Sequence, residues 1–298
     1  MSITGRKGPR NHCYICRINP LLSYRHSFHA GNFADVLKHV VLVEIFVHLT
    51  KKDKAFEYID THAGAGLYNL ESEHATKLHE YTNGIGRLNA EDWPELSLYF
   101  QSISSFNETA ALDHYPGSPM LAKHFLRAQD KAWLYELHPA DFELLSDNTG
   151  RDRRLRIKHE DGLKGLLSLL PPLSRRGFVL IDPSYEVKSD YQQVVNTVIR
   201  AHKKFSTGTY AIWYPVVDRA RINQLENDFI DSGIKNIQRF ELAIAPDSHA
   251  SGMTSSGMIV INPPWTLMKK MSQLLPKLVV ALADDTGAFF KCDVLVDE

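Results

Sequence analysis

The chain has 298 residues, 44% hydrophobic and 23% charged, an ordinary globular composition that supplies a sizeable core. A formal net charge of −1 excludes a uniformly basic nucleic-acid binder, and three cysteines are too few for a disulfide framework. No apolar run opens the chain as a signal peptide would, and the longest, around 40–49, is broken by Glu44 and His48 and is too short to span a bilayer, so a cytoplasmic, non-membrane protein is expected.

Charge is unevenly distributed from the start. No acid precedes Asp35, whereas Arg6, Lys7, Arg10, Arg17 and Arg25 all do, a basic arm that fits either a polyanionic partner or a solvated tail. Cys13 and Cys16 form a C-x-x-C beside His12, but a structural zinc site needs four ligands and Cys292 lies at the other terminus, so no metal is expected. An amphipathic helix is predicted over 33–49, capped by Asn32, and a strand over 55–59. That strand closes as Y-I-D-T-H-A-G-A-G, which sets Asp60 and His62 before Gly64 and Gly66. Glycines let backbone approach a ligand, and acids at strand ends accept hydrogen bonds from hydroxyls or amines, although a lone G-x-G fits a plain strand-to-helix turn equally well. The stretch 67–117 carries its own helical patterns, for example over 91–106, and reads as a small helical insertion. It ends at P-G-S-P, where Ser118 reads as the N-cap and Pro119 as the first residue of a helix over 118–129.

Strands follow over 132–137, 156–159, 178–181 and 210–214, separated by helical patterns at 162–170 and 189–204; a further helix spans 220–232. This alternation predicts a Rossmann-like α/β fold, a mostly parallel sheet covered on both faces. The strands over 236–245 and 257–261 have no helix between them and predict an antiparallel hairpin at the sheet's edge, with a last helix at 265–277. The early strands end in L-Y-E-L-H at Glu136, K-H-E-D-G at Asp161 and Gly162, and L-I-D-P-S-Y at Asp182. Together with Asp60, four successive strands present acids at their carboxyl ends, where open α/β sheets bind ligands.

That series of acids resembles the S-adenosylmethionine-dependent methyltransferase fold. In that fold the first glycine turn holds the methionine part of the cofactor, the second acid the ribose hydroxyls and the third the adenine. The fourth-strand motif, Asp/Asn-Pro-Pro followed by an aromatic, marks amino-methyltransferases of nucleic-acid bases. Asn262-Pro263-Pro264-Trp265 matches the motif more literally than Asp182-Pro183-Ser184-Tyr185, but it follows the last predicted strand, so Asp182 is preferred. Longer strings narrow the resemblance: S-Y-R-H-S-F-H-A-G-N-F-A-D-V-L-K-H over 23–39, then T-H-A-G-A-G, Y-P-G-S-P, S-R-R-G, D-P-S-Y-E, T-G-T-Y-A-I-W-Y-P-V and S-G-M-I-V-I-N-P-P-W. They are similar to the bacterial RlmJ family, 23S ribosomal RNA (adenine-N6)-methyltransferases, from residue 22 to the C-terminal region.

The resemblance implies residues 1–20 as an N-terminal extension and 21–298 as one methyltransferase domain. It implies that Lys38, His39, His62, Ser118, Glu136, Asp161, Gly162 and Asp182 contact the cofactor or line its pocket, that Asp182 is also the catalytic acceptor, and that Tyr24 meets the RNA. Asp60 and Gly64 join the cofactor set from their place at the first strand end. The implied chemistry has Asp182 and the Pro183 carbonyl accept the two N–H bonds of an adenine amine while Tyr185 stacks on the base. Ser184 departs from the motif, which has a second proline there. Arg25, Arg175, Arg176 and Lys188 are candidate phosphate contacts, and a monomer acting on naked 23S rRNA or an early assembly intermediate is expected. Methylation of DNA adenine, or a non-catalytic RNA-binding assembly factor on this fold, are the alternatives.

Overall fold

The computed structural model describes residues 25–247 and 252–298. In chain order the first half runs α1 (Phe33–Thr50), β1 (Glu57–Asp60), β2 (Leu67–Asn69), α2 (Glu73–Leu78), α3 (Ser97–Ser104), β3 (His114–Pro116), α4 (Ser118–Phe125), β4 (Lys131–Tyr135) and α5 (Pro139–Thr149). The second runs β5 (Leu155–Lys158), α6 (Gly162–Leu169), β6 (Gly177–Ile181), α7 (Ser189–Lys204), β7 (Thr209–Val216), α8 (Arg219–Ile230), β8 (Ile237–Ala243), β9 (Ser255–Ile261), α9 (Leu267–Leu282) and β10 (Phe289–Val296).

Eight strands form one sheet in the order β10-β8-β9-β7-β6-β1-β4-β5, with β7, β6, β1, β4 and β5 parallel and β9, β8 and β10 joined antiparallel. The central run G-F-V-L-I of β6 has no polar side chain and is buried at all five positions, as a strand covered on both faces requires. Tyr58 of β1 and Phe178 of β6 are register partners, and both rings meet Phe46 of α1. One residue further on, Val179 pairs with Tyr210, whose ring instead lies near His202 of α7, so α1 and α7 cover opposite faces. The strand order reverses between β1 and β6, which opens a crevice at their carboxyl ends.

Several predicted elements change on inspection. Asn32 caps α1 as expected, its side chain accepting from the Asp35 N–H, but the helix is buried nearly all round rather than amphipathic. Ser118 is the first residue of α4, not its cap, because its hydroxyl donates to Asp60 at 2.6 Å. The insertion holds an antiparallel pair, β2 with β3, beside its helices, and α3 packs on α1 and α4, so this stretch shares the core. Helix α5 lacked a readable apolar stripe: only Asp141, Leu145 and Thr149 are buried. Strand β10 has no fully buried position to betray it, and it covers β8, so the hairpin β8–β9 is not the edge of the sheet. No helix among the described residues is long and apolar enough to cross a membrane.

Asn262 sits at the far end of the sheet from Asp182, because β9 runs antiparallel to β7. It occupies the left-handed region (φ 49°), and its side-chain amide donates to the carbonyls of Ser206 and Gly208 at 2.7 and 2.8 Å. Asparagine tolerates that backbone better than most residues. Asn262→Ala is therefore expected to cost about 1–3 kcal/mol of stability, read as a lowered denaturation midpoint. An unchanged midpoint would show that the turn needs neither bond.

Candidate functional site

A cavity of about 620 Å³ opens at the carboxyl ends of β1, β4, β6 and β7. Lys38, His39, His62, Gly64, Ser118, Glu136, Asp161, Gly162, Asp182, Pro183 and Tyr185 all line it. Residues as far apart in sequence as Lys38 and Tyr185 meet there, because most of them end a strand or lie in the helix beside it. Tyr24, Cys13 and Cys16 lie outside the described residues.

The floor is an ion-paired chain of buried groups. Lys38 Nζ lies 2.7 Å from Asp182 Oδ2 and 2.8 Å from Asp35 Oδ1, and the lysine is only 4% exposed. Burial alone would depress its ammonium, but Asp182 and Asp35 outweigh burial and hold it above the ordinary lysine range. Asp35, fully enclosed, is held well below the usual carboxylate range: burial would raise it, but the charges of His26, Lys38 and His39 prevail. His26 Nε2 and the Gly31 N–H both reach Asp35 Oδ2, at 2.8 and 2.9 Å. On the next turn His39 Nδ1 pairs with the Tyr115 hydroxyl, which meets that of Tyr99, and burial pushes the His39 imidazole down to about 3. An acid, a lysine and a histidine in one turn of a mostly apolar helix, D-V-L-K-H, is the sequence signal for this cluster; the direct Lys38–Asp182 bond is not readable from sequence.

Around it stand the strand ends. Gly64 (φ 60°) carries the turn after β1 in a conformation that favours glycine, and its N–H donates to Glu136 Oε2 at 2.8 Å. Glu136 Oε1 accepts from the His138 N–H at 2.6 Å. Burial, offset only in part by those N–H groups, pushes the Glu136 carboxyl up to about 7. Asp161 caps α6, its Oδ1 accepting from the Leu163 and Lys164 N–H groups, and a Cβ on neighbouring Gly162 would sit 2.0 Å from the Thr61 carbonyl oxygen. Burial lowers the His62 imidazole to about 4, so it lines the cavity as a neutral ring.

Two of the expected residues are held more tightly than their neighbours. Asp60 does not line the cavity: it is fully buried beneath, where Tyr58, Ser118 and the His62 N–H bond its carboxyl, which burial nonetheless pushes up to about 6. Asp60 thus fixes Ser118 and the glycine turn from below. Tyr185 is anchored: its hydroxyl donates to the Trp213 carbonyl at 2.8 Å, its ring packs on Tyr191, and it is 8% exposed with φ at 53°. Ser184 beside it is exposed. Trp213, Tyr191 and Arg221 complete the wall, with the Arg221 guanidinium over the Tyr191 ring, and nothing in their sequence spacing had marked them. Of the candidate phosphate contacts, Arg25 pairs with Asp141 near the cavity. Arg175 and Arg176 precede β6 and so sit at the other end of the sheet, where Arg176 donates to the Leu49 and Lys54 carbonyls. Among the described residues no cluster of His, Cys, Asp and Glu is arranged to hold a metal ion.

Comparison with known proteins places this geometry. Residues 53–294 match the family model described as Ribosomal RNA large subunit methyltransferase D, RlmJ. The chain is 52% identical over 260 residues to the Ribosomal RNA large subunit methyltransferase J of Escherichia coli (strain K12), covering 87% of this chain and 93% of that one. It is 48% identical over 273 residues to the protein of the same name from Haemophilus influenzae, covering 90% and 97%. The crystal structure of protein LPL1258 from Legionella pneumophila superposes with a TM-score of 0.82 at 35% identity, over 89% of this chain and 98% of that one.

The Glu136 carboxyl makes stability depend on pH in a defined sense. Its folded form keeps a proton up to about 7, whereas an unfolded glutamate loses it in the ordinary carboxylate range, so its contribution is lost as pH rises through that window. Glu136→Gln should therefore gain stability relative to the parent between about pH 5 and about pH 7, measured by urea melts. Asp60, common to both proteins, cancels in the difference. A constant difference would mean that Glu136 titrates normally.

Proposed function

The chain belongs to the ribosomal RNA large subunit methyltransferase family of the RlmJ type, and from that premise we propose that it transfers the methyl group of S-adenosylmethionine to the exocyclic N6 amine of one adenine in 23S rRNA. The observation that carries this reading is the Asp182-Pro183 turn at the exit of β6, facing the same cavity as Glu136 and held there by Lys38.

The residues present fit such a cofactor. The close approach at Gly162 and the left-handed Gly64 leave backbone, not side chain, on that wall. Glu136 offers carboxylate oxygens to ribose hydroxyls, and its raised pKa marks a partly desolvated acceptor that vicinal hydroxyls would stabilise in the charged form. Asp161 and the neutral His62 would flank the adenine and methionine parts. When bound, the cofactor supplies a sulfonium methyl that is electrophilic without further activation.

The protein's task is then the nucleophile. The lone pair of the adenine amine is delocalised into the ring, and two well-placed acceptors favour a pyramidal nitrogen with its lone pair free. With Asp182 Oδ2 on Lys38, Oδ1 is the oxygen proposed to accept one N–H, and the Pro183 carbonyl accepts the other. Lys38 pairs with the carboxylate and fixes its direction, so the rate gain comes from orientation and placed charge rather than from removal of a proton before attack. The proton leaves the nitrogen as the N–C bond forms, with Asp182 its nearest acceptor. Tyr185, held by Trp213 and Tyr191, presents a fixed aromatic wall for the flipped base.

Asp182→Ala should lower single-turnover methyl transfer to 23S rRNA by several orders of magnitude while the fold persists, since Lys38 keeps Asp35 as its partner. Glu136→Ala should instead weaken S-adenosylmethionine binding by about 1–3 kcal/mol, seen by calorimetry. Full transfer by a folded Asp182→Ala protein would remove that residue from the reaction.

A further inference from the structure

The five parallel strands differ sharply in charge at their two ends. The segments leading into β1, β4, β5, β6 and β7 (51–57, 126–131, 150–155, 170–177 and 203–209) hold twelve Lys and Arg against four Asp and Glu. The segments leaving the same strands (60–66, 136–138, 159–161, 182–188 and 217–218) hold seven acids against one lysine. Even without the buried Asp60, six acids stand against one lysine there, so this end of the sheet is acidic, which repels phosphates, in a chain whose formal net charge is only −1. Affinity for a polyanion has to come from elsewhere on the molecule.

The basic end is one continuous surface. Arg176 donates to the carbonyls of Leu49 and Lys54, and Arg127 to that of Lys52, which ties the segments before β1, β4 and β6 together. The Phe205 ring lies against Gly177, joining the segments before β6 and β7. Asn262 bonds the Ser206 and Gly208 carbonyls and brings the turn after β9 to the same end. Lys51, Lys52, Lys54, Arg175, Lys203 and Lys204 are exposed there, and so is the Trp265 indole, at 83%. The positive field reaches inward: after burial, the charges of Lys51, Arg176 and Lys52 hold the His48 imidazole below its ordinary value.

We propose that this amino end of the sheet is a second RNA-binding face. Its exposed lysines and arginines hold phosphates of the same ribosomal RNA, and Trp265 stacks on an unpaired base, while the target adenosine enters the cavity at the opposite end. This rests on the reading of 23S rRNA as substrate. Four- and five-residue strands rising about 3.3 Å per residue separate the two ends by roughly 13–17 Å, a distance that separate helices of one folded RNA span. A basic patch alone would also suit an acidic protein; the exposed indole at its border favours nucleic acid.

The test compares the triple variant Lys51→Gln/Lys52→Gln/Lys54→Gln, and separately Trp265→Ala, with the parent protein. The RNAs are deproteinised full-length 23S rRNA and the shortest fragment of it that the parent methylates. For full-length RNA the triple variant should show a KM raised by about tenfold and a salt slope of binding lowered by about two to three; Trp265→Ala should raise that KM without changing the slope. Rates on the short fragment should match the parent for both. A triple variant with the parental KM and slope on full-length RNA overturns the proposal and leaves the face to an acidic protein. A parent protein that methylates no part of 23S rRNA overturns the substrate reading, and this proposal with it.

Discussion

A lysine with 4% exposure between two carboxylates is the constraint on which the rest of this molecule turns. Burying Lys38 and Asp35 beside the partly exposed Asp182 carries a desolvation cost, which the ion pairs and the bonds to Asp35 offset. Removing the ammonium would leave Asp35 and Asp182 facing each other uncompensated, a loss of about 3–5 kcal/mol for a buried pair. The chain Asp35–Lys38–Asp182 therefore fixes the first turns of α1 against the exit of β6. The same turns reach Tyr115 and Tyr99 through His39, so the insertion is anchored to the same helix. Core packing of α1 and the direction of the functional carboxylate are one problem with one solution.

Much of this was legible in the sequence, for a physical reason. The central strands β1 and β6 are largely buried and end in apolar runs, so V-L-I before Asp182 and Y-I before Asp60 announced both the strands and their ends. Because strand ends carry acids in this topology, three of the cavity-lining acids, Glu136, Asp161 and Asp182, could be named in advance. What escaped depends on tertiary context. Strand β10 has no buried position, and α5 has too few apolar ones, so both are specified by their neighbours. Asp60 looked like a ligand acid, but a Tyr58 hydroxyl two residues earlier and Ser118 in the crossover helix enclose it. The aromatic wall of Trp213 and Tyr191 comes from side chains whose types are equally at home in any core. Their place is set by β7 and α7, which lie beside the exit of β6.

The two ends of the sheet divide the electrostatic work. On the proposed reading, an acidic mouth suits a cofactor that carries positive charge on its sulfonium and an adenine that enters uncharged. Raised carboxyls such as Glu136 are the consequence of placing acids where water is scarce. Phosphate binding, which needs the opposite field, is then relegated to surfaces away from the reacting atoms. The NPPW turn, which resembles Asp182-Pro183-Ser184-Tyr185 in sequence, belongs to that other end, and its asparagine holds backbone carbonyls.

The central claim is that the group placed before Asp182 and Pro183 is an adenine N6 amine of 23S rRNA. The most direct test is to digest 23S rRNA, modified in vitro by the purified protein with isotopically labelled methyl donor, to nucleosides and identify them by mass spectrometry. Label is expected in N6-methyladenosine alone, at one stoichiometric site. Label in a ribose-methylated or ring-carbon-methylated nucleoside, or in several bases at once, would contradict it.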